Sequence, residues 1–137
     1  MGEVRTEITL VNIKDAVKAE SGFIPEAEVR QLTVDAVVDT GAWTLVINEK
    51  TREKLGLRVK KPVETGVAGG GTVPGGITEY VEVRWKDRNT ACEALVLPDE
   101  EDILLGAYPL EGMDLTVNPK KQEVVGAHGD KVRYVVK

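Results

Sequence analysis

Apolar and polar residues alternate with a period of two along much of the chain, the pattern of strands that bury one face. Val4, Thr6, Ile8 and Leu10 share one side of a first predicted strand. In a second, Leu32, Val34, Ala36 and Val38 oppose Val29, Gln31, Thr33 and Asp35, and the strand delivers Asp39 at its end. Residues 14–25 mix charge with Ser21-Gly22 and Pro25 and read as a wide hairpin loop. Asn48 is a predicted N-cap for a short surface helix that Gly56 ends in a left-handed residue. Residues 67–76 hold five glycines around Thr72-Val73-Pro74 and suit a mobile hairpin tip, with arms over 61–65 and 77–85.

Beyond a turn at Lys86-Asp87-Arg88-Asn89, residues 91–97 form a predicted buried strand closed by the acidic run 98–102. Ile103-Leu104-Leu105-Gly106 is a dense apolar run, and Pro109 marks a helix start within 107–113. Residues 115–125 make a hairpin turning at Asn118-Pro119-Lys120, and 131–136 alternate as a final strand. About nine strands against one or two short helices predict an all-β domain built as a closed or partly closed barrel.

A length of 137 residues with 42% apolar content fits a single domain, 1–137, with one core. Charged residues make up 30% with both signs interspersed, and the net charge is -5, so no basic face advertises nucleic acid or an anionic membrane. No apolar run reaches membrane-spanning length, and the cytoplasm is the expected location. The single Cys92 and single His128 leave too few soft ligands for a thiolate or imidazole metal site, so neither a metal nor another cofactor is expected. Cys92 is expected to fill a buried strand position, His128 to lie exposed in a turn, Trp85 to pack within its strand, and Trp43 to serve in the core or at a dimer contact.

The candidate chemistry lies in Asp39-Thr40-Gly41-Ala42. An apolar strand anchors Asp39 in the core, Gly41 lets the chain turn back towards the carboxylate, Thr40 offers a short hydroxyl, and Ala42 is small enough not to obstruct it. Two carboxylates in contact share a proton, so one acts as base towards water while the other acts as acid towards a carbonyl. The aspartic-protease dyad is the standing example of this pairing. The chain contains one Asp-Thr-Gly, so the second carboxylate must come from a twofold-related copy.

In the order of its parts the chain resembles the retropepsin-like, or retroviral-type, aspartic proteases. That family shows a strand into Asp-Thr-Gly-Ala, a glycine-rich flap hairpin, and two apolar residues with a glycine ahead of a short helix. The corresponding parts are Asp39 to Ala42, residues 67–76, and Leu104-Leu105-Gly106 before 107–113. The resemblance implies an acid-protease half-barrel that dimerises, with Asp39 catalytic, Thr40 reaching across the dimer axis and Gly41 as the turn glycine. It also implies that Leu104, Leu105 and Gly106 brace the loop. Ala42, Gly69, Gly70, Gly71, Thr72 and Val73 would meet an extended peptide, the last five from a closing flap. Ala107-Tyr108 stand where retroviral members carry an arginine paired to an acid. Val132, Tyr134 and Val136, with Val4, Thr6 and Ile8, are candidates for an interchain sheet. The expected activity is aspartic endopeptidase on a peptide or protein substrate, and the alternative is a non-catalytic dimeric binding module on the same fold.

Overall fold

The computed structural model describes residues 3–136. Among them run β1 (Arg5–Asn12), α1 (Ile13–Glu20), a 3-10 turn (Glu26–Glu28), β2 (Gln31–Val38), β3 (Leu45–Ile47) and α2 (Glu49–Leu55). These are followed by β4 (Val59–Gly66), β5 (Thr72–Trp85), β6 (Arg88–Val96), β7 (Ile103–Leu105), α3 (Ala107–Gly112), β8 (Leu115–Asn118) and β9 (Glu123–Gly126).

Seven strands form one sheet in the order β1-β2-β7-β3-β6-β5-β4, and a pairing of β1 with β5 closes six of them into a barrel. The remaining strand, β4, pairs with β5 outside that ring. Closure removes sheet edges and gives the inward side chains a shared interior. Ile8, Leu10, Ala36, Leu45, Val81 and Leu105 fill it, each fully buried aliphatic side chain contributing roughly 1.5–3 kcal/mol. α2 joins the same core through Leu55, and Leu57, just past its Gly56 cap, is buried there too.

α2 has the caps its sequence announces: Asn48 Oδ1 accepts from Thr51 N at 2.9 Å, and Gly56 takes φ +66°. Trp85 packs within its strand, its indole N–H donating to Thr6 Oγ1 at 2.8 Å. Cys92 is buried in β6, and burial pushes its thiol up, against the hydrogen bond with Thr44.

Several expectations need correction. Residues 14–25 are not a hairpin loop, because α1 occupies most of them, bringing the described residues to three α-helices. Asn12 caps α1 by accepting from Asp15 N at 3.0 Å, and Asp15 in turn holds the Arg30 guanidinium through both carboxylate oxygens. The hairpin tip is narrower than 67–76, since β5 starts at Thr72 and carries Gly75 and Gly76 in register with Val63 and Pro62. Those two glycines answer crowding: a Cβ on Gly75 would lie 2.7 Å from the Val96 carbonyl oxygen, and one on Gly76 2.8 Å from Val59 Cγ1. Residues 131–136 form no strand, for no neighbouring strand accepts their backbone. Arg133 N donates to Asp114 Oδ2 at 2.9 Å and Tyr134 Oη to the Gly112 carbonyl at 2.7 Å, which tie the segment to the end of α3 and the residues after it. His128 is exposed as a residue, yet its Nδ1 is fixed 2.9 Å from Asp114 Oδ2. No helix among the described residues is long and apolar enough to cross a membrane.

Candidate active site

β2 carries its apolar side chains into the core and runs parallel to β7, with Val38 opposite Leu105. The ladder continues one residue further, where Asp39 N donates to the Leu105 carbonyl at 3.0 Å. The chain then folds over: Ala42 N donates to Asp39 O at 3.1 Å, and Gly41 N donates to Asp39 Oδ1 at 2.9 Å. This second bond is an Asx-type turn, in which the aspartate orients its own loop. A Cβ on Gly41 would lie 3.1 Å from Asp39 Oδ1, so any larger residue would press on the carboxylate and shift it.

After the loop, β3 returns on the other side of β7, antiparallel to it, with Val46 opposite Leu104. β7 is therefore threaded between the strand that enters the loop and the strand that leaves it. Gly106 lies directly beneath. A Cβ there would stand 2.6 Å from the Ala42 carbonyl oxygen and closer still to that of Thr44. From the start of α3, Ala107 N donates to Ala42 O at 2.8 Å and Tyr108 N to Trp43 O at 2.9 Å. Thr44, buried, donates its hydroxyl to the Glu93 carbonyl at 2.6 Å and ties the loop to β6. Thr44 escaped the sequence reading; its position between an exposed loop and the apolar run 45–47 was the available signal.

The result is a carboxylate held rigidly at the surface. Asp39 is half-buried and Thr40 exposed, and among the described residues the Thr40 hydroxyl makes no hydrogen bond within the chain. Trp43 and Tyr108 flank the loop with 56% and 58% of their surface exposed, so Trp43 is not a core residue. Nothing among the described residues gathers three His, Cys, Asp or Glu side chains that could hold a metal.

Gly69, Gly70, Gly71, Thr72 and Val73 stand apart from the loop, at the exposed end of the β4–β5 hairpin. The three glycines have φ of +89°, +96° and +81° and open space where a Cβ would go, so they serve conformation and not packing. β6 pairs with β5 only from Gly76 onward, which leaves the hairpin end projecting as a two-stranded ribbon. One apolar cluster joins the ribbon to the loop: Val46, Ile77 and Leu95 pack with Ala42, Val63, Leu97 and Leu104.

A family model described as aspartyl protease matches residues 26–108, from the 3-10 turn into the first residues of α3. The chain belongs to the retropepsin-like aspartyl protease family. Comparison with curated proteins finds no match. The match spans the Asp39 loop, the hairpin and Leu104-Leu105-Gly106, reaches only the first two residues of the short helix that the resemblance included, and stops short of the β8–β9 hairpin.

Proposed function

We propose that this aspartyl protease is an endopeptidase that acts as a homodimer, with Asp39 of each chain on either side of one water. The observation that carries the reading is the Asp39 loop itself: a carboxylate fixed by the Gly41 N–H and braced from below by Gly106, beside a Thr40 hydroxyl that makes no hydrogen bond among the described residues. One chain supplies one such carboxylate, half of a dyad. The exposed Trp43 and Tyr108 beside it supply apolar area for a self-complementary contact about a twofold axis.

In the pair, the ionised Asp39 takes a proton from water as the oxygen attacks the scissile carbonyl carbon. The protonated Asp39 gives its proton to the carbonyl oxygen, forming a neutral gem-diol. Collapse returns a hydroxyl proton to one carboxylate, the other protonates the amide nitrogen, and the C–N bond breaks to give an acid and an amine. Thr40 hydroxyls bond across the axis and hold the loops in register, while Gly69 to Val73 close over the peptide as a flap with backbone hydrogen bonds. The chemistry calls for no metal or organic cofactor. A lone, buried Cys92 accords with a reducing compartment such as the cytoplasm.

The test is cleavage of a diverse peptide library at pH 4 to 7 by wild type and Asp39→Asn. Cleavage by wild type alone, blocked by a statine-type mimic of the tetrahedral species, is expected. Equal cleavage by both, or peptide binding without cleavage by either in dimer-forming conditions, rejects catalysis and leaves a binding module.

A further inference from the structure

We propose that the cavity between the β4–β5 hairpin and the turn after β6 receives a cationic side chain, lysine or arginine, of the peptide substrate, and that Asp99 and Glu100 select it. This rests on the peptidase reading of Asp39.

The cavity has a volume of about 310 Å³. Ligand pockets span roughly 300–1,000 Å³, so this one suits a single long side chain. Val67, Val73 and Pro74 form its hairpin wall, and Leu97 and Pro98 form the opposite wall. These walls connect with the apolar side chains at the Asp39 loop. Leu97 belongs to the apolar cluster that runs through Leu104 to Ala42, three residues past Asp39. An extended peptide lying over that strip from Asp39 presents a side chain to the space between the walls.

The charge in this lining is of one sign. Asp99 and Glu100 border the cavity and no cationic residue does. Among the described residues neither carboxylate enters an ion pair, whereas the neighbouring Asp102 is engaged by Arg5 at 3.2 Å. The turn that carries them is pinned. Leu97 N donates to Ile47 O at 2.9 Å, Glu100 N to Leu97 O at 3.0 Å, and Asn48 Nδ2 to the Glu100 carbonyl at 3.1 Å. Asn48 also caps α2, so one side chain anchors both the helix start and the acidic turn. An apolar slot bordered by two uncompensated carboxylates on a pinned turn matches a side chain with a long aliphatic stem and a positive head. A glutamate or aspartate there meets like charge and loses its hydration.

The experiment is a position-resolved cleavage profile of a peptide library by wild type, by Asp99→Asn/Glu100→Gln, and by Glu26→Gln as a remote charge control. Wild type is expected to favour Lys or Arg over Glu at one position by about tenfold at low salt, with the ratio shrinking as ionic strength rises. The double variant brings the ratio close to one, and Glu26→Gln keeps it. Cleavage without a cationic preference, or with one that survives the double variant, overturns the proposal and leaves the peptidase reading standing. Absence of cleavage overturns the peptidase reading instead. Fluorescence anisotropy of labelled Arg and Glu versions of one peptide on the same protein and its double variant then decides the cavity: equal affinities overturn it.

Discussion

Gly106 lies so close under Ala42 that a Cβ on it would stand 2.6 Å from the Ala42 carbonyl oxygen. Its φ of -86° suits any residue, so the requirement for glycine is one of space. Both obstructing atoms are backbone carbonyl oxygens, which cannot rotate aside as a side chain would. Gly106→Ala is expected to cost about 1–3 kcal/mol, the usual penalty of overpacking, and to lower peptidase activity by more than its loss of stability explains. Urea unfolding and a peptide-cleavage assay on the folded variant measure the two separately.

Trp43 and Tyr108 are linked through Tyr108 N and the Trp43 carbonyl and show their aromatic surface beside Asp39. In the proposed dimer they are contact residues. Trp43→Lys and Tyr108→Lys should each raise the dimer dissociation constant by about tenfold or more, while monomer stability shifts within about 0.5 kcal/mol. Sedimentation velocity across a dilution series checks the first effect and thermal unfolding the second. Specific activity of wild type should fall on dilution in step with the dimer fraction.

Arg88 is buried, with 6% of its surface exposed, and its guanidinium donates to the carbonyls of Met113 at 3.1 Å, Asp114 at 2.7 Å and Gly129 at 2.6 Å. It fastens the β8–β9 hairpin to the start of β6, although its Nε has no partner within the chain among the described residues. Arg88→Met keeps the apolar stem and removes all three bonds, which strands the Met113 and Gly129 carbonyls, while that of Asp114 still accepts from Ala127 N. A loss of about 3 kcal/mol is expected, since each unsatisfied buried polar group costs roughly 1–3 kcal/mol. Chemical denaturation reads the total, and hydrogen exchange should show faster opening over 113–129 than over β2.

Two aspartates contribute to the acid limit of the fold, alongside Glu49, held below its ordinary value by Arg52, and Glu79, which against the effect of burial is held low by Lys14. The Arg30 guanidinium holds the Asp15 carboxyl below its ordinary value, against the opposing effect of burial. Asp114 is likewise lowered, first by the backbone N–H of Arg133 and then by His128. Groups depressed in the folded state contribute stability that is fully present above their unfolded value, about 3.9, and is lost as pH falls through the folded one. The melting temperature should therefore hold down to about pH 5 and drop below about pH 4. Asp15→Asn should lower the melting temperature at neutral pH and flatten the decline in acid. The peptidase proposed above would keep these anchors ionised in mild acid.

What could be read in the chain follows how local each signal is. The caps of α2, Asn48 and Gly56, act within a few residues, and the structure places them as the sequence announces. The strand into Asp39 is similarly legible, because alternation and the turn chemistry of Gly41 lie together. α1 carried a local signal too, Asn12 with Asp15 three residues on, but it follows a strand without a break, and the Ser21-Gly22 turn at its far end suggested loop throughout. Residues 131–136 alternate well enough for a strand, yet alternation says nothing about a partner, and among the described residues none is present. Gly75 and Gly76 read as loop residues because composition cannot separate a glycine needed for turning from one needed because another strand lies against it. The apolar bridge from Ala42 to Leu97 depends on residues far apart in sequence, and only the fold brings them together.

The placement of β7 between β2 and β3 also bears on when the molecule becomes competent. Asp39 and its turn are made early in synthesis, but the carbonyl of Leu105 that receives Asp39 N, and the glycine on which the loop rests, come more than sixty residues later. Contacts so distant along the chain form after local ones and slow folding. A ribosome-bound fragment ending before Ile103 therefore has the aspartate without its seat. In the proposed peptidase, the order of translation thus withholds the seat of the aspartate until Leu105 and Gly106 have been made.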